Sequence, residues 1–247
     1  MRMIGRQHVK KVVYIFICTI LALALTWLLL LKVMNSRTFQ FFGDIITHVD
    51  TDKKVVALTF DDGPTDKTDE VLRVLEEADI KATFFVNGSN ISDKPENAAK
   101  IVKAGHELGN HTYSHHRMVF KSMSYIKREI EDTDRLIRES GYKGDIHFRP
   151  PNGKKLLLLP YYLSRNNRKT IMWSLEPDSY PEIAGSPEKI ITYVESNIKP
   201  GAIILLHVMY DNEERGALES IKGIVSALGE KGYEFVTVSE LLKYEKK

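Results

Sequence analysis

A single cysteine, Cys18, stands in 247 residues, so no disulfide can form within the chain. It lies in an apolar run directly after Ile17, which is not the small residue that precedes a lipid-modified cysteine. Acids are missing from the start: none precedes Asp44, whereas Arg2, Arg6, Lys10, Lys11 and Lys32 do. An excess of one charge is missing from the rest, where 30 Lys and Arg face 33 Asp and Glu. The formal net charge of +2 therefore belongs to the N-terminus. A nucleic-acid partner needs a basic footprint on the folded part, and none is present. Internal repeats and low-complexity tracts are also lacking, which excludes solenoids and disordered arrays. What remains is ordinary globular composition, 43% hydrophobic and 28% charged, in a chain long enough to bury a core without covalent staples.

Val12 to Leu31 is apolar but for Thr19, Thr26, Tyr14 and Trp27. Twenty residues at about 1.5 Å each span a hydrocarbon core of about 30 Å. The basic residues ahead of the run place residues 1–11 in the cytoplasm by the positive-inside rule. Everything after it then lies outside the cell membrane on a single-pass anchor, residues 12–31. A cleaved signal peptide is the competing reading, since Ala22-Leu23-Ala24 has the small-x-small form. Leu28 to Leu31 extend the run past that point, which favours an uncleaved anchor. Residues 32–52 read as a linker, and residues 53–247 as one folded domain.

From Lys54 onward, strand-like and helix-like segments alternate. Val55–Phe60, Ala82–Val86, Asp145–Phe148, Thr170–Leu175, Ala202–His207 and Glu234–Val238 read as strands. Thr68–Ala78, Glu96–Ala104, Tyr125–Ser140, Pro187–Ile198 and Glu214–Lys231 read as helices, several closed by glycine. Such alternation predicts an α/β fold with a mainly parallel sheet. Asp61, Asp62, Arg149, Glu176 and His207 fall at the C-terminal ends of strands. Both β/α barrels and open doubly wound sheets place their sites there. The stretch Lys154 to Arg168 carries Leu156 to Leu159 and Pro160-Tyr161-Tyr162, and reads as a core element rather than a groove lining.

Several of these residue types can hold a metal ion. His111 and His115 are four apart, and on a helical turn both imidazoles would reach one ion. Two histidines and a carboxylate leave positions open for water on a divalent metal. Asp61 and Asp62 follow a strand directly, and alternation along a strand sends neighbouring side chains to opposite faces. One carboxylate could then ligate while the other takes a different role. Read singly, each feature has a plainer explanation. Asp-Asp-Gly-Pro is good turn composition, and a lone histidine ending a strand is usually a satisfied core or rim residue.

Read together, the elements resemble the polysaccharide deacetylase family, carbohydrate esterase family four, in particular its membrane-anchored peptidoglycan N-acetylglucosamine deacetylases. The resemblance covers roughly residues 53–243. Thr59-Phe60-Asp61-Asp62-Gly63-Pro64 looks like the first motif, His111 to His115 the second, Arg149-Pro150-Pro151-Asn152-Gly153 the third, Trp173 to Tyr180 the fourth and Leu206-His207 the fifth. It implies a distorted β/α barrel with about seven strands, following one transmembrane helix. It implies Asp62, His111 and His115 as ligands of a divalent metal, commonly zinc. It implies Asp61 as general base, Arg149 as the group that orients it, His207 as general acid, and Asn152 with Pro151 on the substrate and oxyanion side. The substrate implied is an N-acetylated polysaccharide, peptidoglycan or a chitin-like oligomer, with N-acetylglucosamine ahead of N-acetylmuramic acid. A non-catalytic glycan-binding protein on the same scaffold and an O-acetyl esterase are the other readings. Two positions depart from the family's wording. Asn152 stands where tyrosine is usual, and the fourth motif reads Glu176, Asp178, Ser179, Tyr180 in place of Asp-x-x-Asp-Trp. Glu176 is then the expected acid beside His207, with Asp178 one residue from the motif's second acid position.

Overall fold

A computed structural model describes residues 2–209 and 216–246. The expected start of the helix at Glu214 lies outside the described residues; from Gly216 to Glu230 the helix is present.

The fold is a distorted barrel of parallel strands. Its central strand, β2 (Val55–Gly63), is buried at all nine positions, as a strand flanked on both edges and both faces must be. β2 pairs in parallel with β3 (Thr83–Val86) on one side and β6 (Ile203–Leu206) on the other. β3 pairs with β4 (Glu107–Asn110). Single bridges carry the ring onward, from Asn110 to Phe148, from Phe148 to Thr170 in β5 (Thr170–Ile171), and from Leu175 back to Ile204. β7 (Glu234–Phe235) joins the first residues of β2, and β1 (Ile45–Ile46) pairs with β5. Among the described residues there are thus seven strands, as the family resemblance implied.

The helices pack outside this ring. The apolar stripes of Thr68–Glu77, Pro95–Lys103 and Gly216–Glu230 bury Val71, Leu75, Ala98, Ile101, Ile221, Ile224 and Leu228 against Leu58, Phe60, Phe84 and Ile204. The expected strand Asp145–Phe148 shrinks to Phe148, and the strand Glu234–Val238 to two residues. The helix Leu158–Arg165 is split by its own periodicity. It buries Leu159 and Leu163, as a core element does, and exposes Leu158 and Tyr161.

The first helix, α1 (Arg2–Asn35), runs unbroken through the apolar segment and four residues beyond Leu31. Residues 10–35 of it are long and apolar enough to cross a membrane, with none of that stretch's apolar window buried. The stretch after it is no loose connector. Met34 and Val49 are buried, and β1 contributes to the sheet. Val49 donates its N–H to the carbonyl of Gly201 at 2.8 Å. That approach is so close that a Cβ on Gly201 would sit 1.8 Å from the Val49 carbonyl oxygen, and Gly201 has φ +78°.

Candidate active site

The chemistry-bearing side chains meet at the C-terminal pole of the barrel, in a cleft of about 480 Å³. Two local devices bring them together. The first is a bulge in β2. Asp61 pairs with Phe85 and Gly63 with Val86, so Asp62 is the extra residue, and it takes φ +70°. A bulge re-aims side chains beside an active site. Here it overrides the strand alternation expected of neighbouring aspartates. Both carboxylates turn to the same pole, and His111 Nε2 lies 3.6 Å from Asp61 Oδ2 and 3.6 Å from Asp62 Oδ1.

The second device is the loop after β4. His111 and His115 do not share a helical turn, contrary to the spacing argument. Thr112 and His115 are left-handed, at φ +70° and +56°, which no helix tolerates. The loop is held instead by the buried Glu129 on the helix Met123–Glu139. Its Oε2 accepts the backbone N–H groups of Tyr113 (3.1 Å) and Ser114 (2.8 Å). Nothing in the sequence singles out Glu129, since an acid within an amphipathic helix carries no local signal of its role.

Asp62, His111 and His115 form one cluster whose candidate ligand atoms lie within 4.8 Å of one another. The donor set suits a divalent metal. Asp62 Oδ1 is buried without a hydrogen bond, 3.0 Å from His115 Nε2, a cost that a bound cation would remove. His111 Nδ1 lies 2.8 Å from the Arg149 carbonyl, which can only accept. The Nδ1 therefore carries the proton, and the Nε2 lone pair faces the cluster. Burial, with the neighbouring His111, pushes His115 down, towards the neutral form that ligates.

Beneath the cluster, Arg149 is fully buried. Its Nη1 donates to Asp61 Oδ1 (2.7 Å) and Thr59 Oγ1 (2.9 Å), Nη2 to the Met172 carbonyl (3.1 Å) and Nε to the Ile171 carbonyl (3.3 Å). Its guanidinium plane lies 4.0 Å from the centroid of Phe85. Burial raises the Asp61 carboxyl, but Arg149, His111 and His207 together pull it below its ordinary value, so it is ionised at neutral pH.

Across the cleft, His207 follows β6. Burial lowers its pKa, but the hydrogen bond and charge of Asp178, with Asp61 and Asp62 behind, outweigh that and push it up to about 9. The partner acid is Asp178, whose Oδ2 lies 3.3 Å from Nδ1 and also accepts the backbone N–H of His207. This corrects the expectation for Glu176. Its carboxylate accepts from Trp173 Nε1 at 2.7 Å and pairs with Arg37 at 3.4 Å, so it shapes the cleft wall. The single helical turn Pro177–Ser179 is the physical reason, because it carries Asp178 back over His207. Replacing Asp178 with asparagine removes most of the upward pull. The His207 imidazole should then lose its proton at lower pH than in the parent protein; an NMR titration of its ring signals checks this, and an unmoved midpoint refutes it.

Asn152 lines the cleft at φ +52°, a left-handed angle asparagine tolerates, and its Oδ1 accepts from Arg117 Nε at 3.1 Å. Pro151 is not on the cleft wall but buried behind it, where it starts the turn that presents Asn152. Asn35, Arg37, Arg117, Lys154, Met172 and Trp173 also line the cleft. Of these, only Trp173 fell within a motif. A larger cavity, about 720 Å³, lies among Glu131, Asp134, His147 and Arg168. Its Arg168 and Asp134 are spent on each other in a two-point ion pair at 2.7 and 2.8 Å. Among the described residues the only cluster suited to a metal is the one at Asp62.

Barrel, bulge and cluster together define a hydrolase-like site, and comparison with known proteins places it. The polysaccharide deacetylase family matches residues 48–169, and the chain belongs to that family, carbohydrate esterase family four. It is 33% identical over 204 residues to a peptidoglycan-N-acetylglucosamine deacetylase of Bacillus cereus, spanning 82% of this chain and 95% of that one. Among solved structures it resembles the Bc1960 peptidoglycan N-acetylglucosamine deacetylase, with TM-score 0.75 and 28% identity over 81% of this chain and 94% of that chain. It also resembles BA3943 of Bacillus anthracis, described as a family pseudoenzyme, with TM-score 0.73 and 27% identity over 84% and 72% of the two chains.

Proposed function

We propose that this chain removes N-acetyl groups from the amino sugars of a cell-wall glycan, peptidoglycan N-acetylglucosamine first, as a metal-dependent hydrolase held outside the membrane by residues 12–31. The observation that carries the reading is a pair of groups with opposed proton affinities facing one cluster of metal-ligating side chains. Asp61 is held ionised by Arg149, and His207 is held protonated by Asp178. A base and an acid tuned apart in this way are what amide hydrolysis requires.

Asp62, His111 and His115 would hold the metal, zinc by preference for this histidine-rich set. When bound, it supplies Lewis acidity to the acetyl carbonyl and to the attacking water. Asp61 takes the water's proton at Oδ2, the oxygen that Arg149 leaves free. With Nδ1 committed to Asp178, His207 gives its proton from Nε2 to the sugar nitrogen as the C–N bond breaks. Without that proton the amide anion is a poor leaving group. The backbone N–H of Asn152 is the proposed donor to the developing oxyanion. Trp173, Arg37 and Met172 form the wall on which a sugar ring would rest.

A non-catalytic role on this scaffold has a precedent in the similar BA3943 pseudoenzyme. The presence here of Asp61, Asp62, His111, His115, Arg149 and His207 favours catalysis. The test is acetate release by the purified full chain from N-acetylglucosamine oligomers and from peptidoglycan, with O-acetylated xylan beside them. Release from the amides is expected, lost on chelation and restored by zinc. Release from the ester alone would identify an O-acetyl esterase, and release from neither would leave the binding role.

A further inference from the structure

The end of α1 is fastened to the rim of the cleft. Lys154 donates to the Asn35 side chain, Lys155 donates to the Ser36 carbonyl, and Arg37 lies over Trp173 at 5.1 Å. From Leu31 to Asn35 the helix climbs about 6 Å at 1.5 Å per residue, so the barrel begins about where a bilayer's headgroups would lie.

Around that seam the barrel presents an apolar face. Phe39, Phe41 and Phe42 follow the helix, and Leu157, Leu158 and Tyr161 come from the neighbouring segment; each is 42–47% exposed. The two groups form one surface, because Phe42 and Tyr161 meet edge to face at 5.5 Å, and Phe39 packs on Phe41 at 5.3 Å. Scattered apolar residues on a soluble surface need no explanation, but six large ones gathered at one place do. Aromatic rings with basic neighbours suit the headgroup boundary, where Trp and Tyr concentrate and Lys pairs with lipid phosphate. Lys32 in the last turn of α1 and Lys154 at the seam supply the charge.

We propose that this face is a second membrane contact, which seats the barrel on the outer leaflet and opens its cleft at headgroup level. The proposal rests on α1 being an anchor and goes beyond it, since an anchor alone leaves the domain free to stand away. The occupant is the bilayer because the patch is continuous with the one helix, among the described residues, able to cross it. The glycan taken is then one that lies against the membrane, such as a strand still joined to its lipid carrier, rather than distant mature wall.

The test uses the full chain in vesicles of phosphatidylglycerol and phosphatidylethanolamine, with nitroxide quenchers on headgroups or mid-chain. The native Cys18, labelled with a fluorophore, reports the anchor by itself and is expected to be quenched by the mid-chain nitroxide. In a Cys18→Ser background, labels at Phe41→Cys and Leu158→Cys are expected to lose most of their fluorescence to headgroup nitroxide. A label at Ala99→Cys, exposed on the helix Pro95–Lys103, should keep it. If Cys18 is quenched but positions 41 and 158 behave like 99, the seating fails and the anchor stands. If Cys18 is not quenched, both fail. Cross-linking of Phe41→Cys between chains without lipid quenching would make the face a contact between copies, and overturns the proposal. The triple variant Phe41→Ser, Phe42→Ser, Leu158→Ser should keep its rate on soluble oligomers and lose about tenfold or more on lipid-carried glycan, the equivalent of about 1.4 kcal/mol of lost seating. Equal rates on both substrates would count against it.

Discussion

Asp61→Asn should lower acetate release by about a hundredfold to ten-thousandfold, the range a positioned general base contributes. The substitution keeps the side chain's shape, so Oδ1 can still accept from Arg149 Nη1 and the cleft keeps its walls. What it removes is the charge proposed to draw the proton from water. The loss should fall on kcat rather than KM, because the role proposed for Asp61 concerns the proton in flight and not the sugar. It should also persist at every pH, since no neighbouring group is free to take over: Asp62 lies in the cluster with His111 and His115, and Asp178 is engaged with His207. Single-turnover measurement of acetate release checks this. A variant that folds, binds a divalent metal as the parent does and retains more than a tenth of the rate would remove Asp61 from the role.

Arg149→Leu should be the most destabilising single change in the site, costing about 3–5 kcal/mol. That is a large part of the 5–15 kcal/mol by which domains are usually stable. The cost comes from what is left behind. Asp61 is 3% exposed, and without Arg149 it becomes a buried carboxylate with no compensating charge on that side. Two carbonyls, of Ile171 and Met172, and the Thr59 hydroxyl lose their donor as well. Asp61 should then rise in pKa and protonate more readily, so activity falls with stability. Lysine should not rescue, since a point charge cannot reach four acceptors set in the plane of a guanidinium. Urea unfolding separates the contributions. The double variant Asp61→Asn, Arg149→Leu should recover about 0.5–3 kcal/mol relative to the sum of the singles while remaining inactive. Strict additivity would mean that the pair is not coupled.

Much of this was legible from residues alone. The order of strands and helices emerged because β2, β3 and β6 are continuous apolar runs and the outer helices have clean stripes. β4 carries no such signal, and its sequence explains why. Glu-Leu-Gly-Asn is buried at every position, with polar groups satisfied inside the protein rather than alternating with solvent. Glu107 accepts from Thr83 at 2.7 Å and from Ser239, and Asn110 donates to the Ile130 carbonyl at 2.9 Å. A strand that buries polar groups has no period to read.

The site was legible as a set of residue types and less so as geometry. Asp61, Asp62, His111, His115, Arg149 and His207 do converge. Neither strand alternation nor a helical turn brings them together, because residues at positive φ re-aim the side chains. Asp178 in place of Glu176 depended on one turn after Pro177. Arg37, Lys154 and Asn35 could not have been found from spacing, since more than a hundred positions separate them in sequence from the residues they meet.

That last contact bears on how the protein should be handled. A cut at residue 53, where the family resemblance begins, would yield a soluble fragment that looks whole by alignment. It would lack β1, the Val49 tie to Gly201, and the Arg37 side chain that lies on Trp173. The wall of the cleft would be missing one side, and assays on such a fragment would measure a different enzyme. The boundary drawn by packing lies before Met34, inside the helix itself, so any truncation meant to preserve the cleft has to carry the last turn of α1 along.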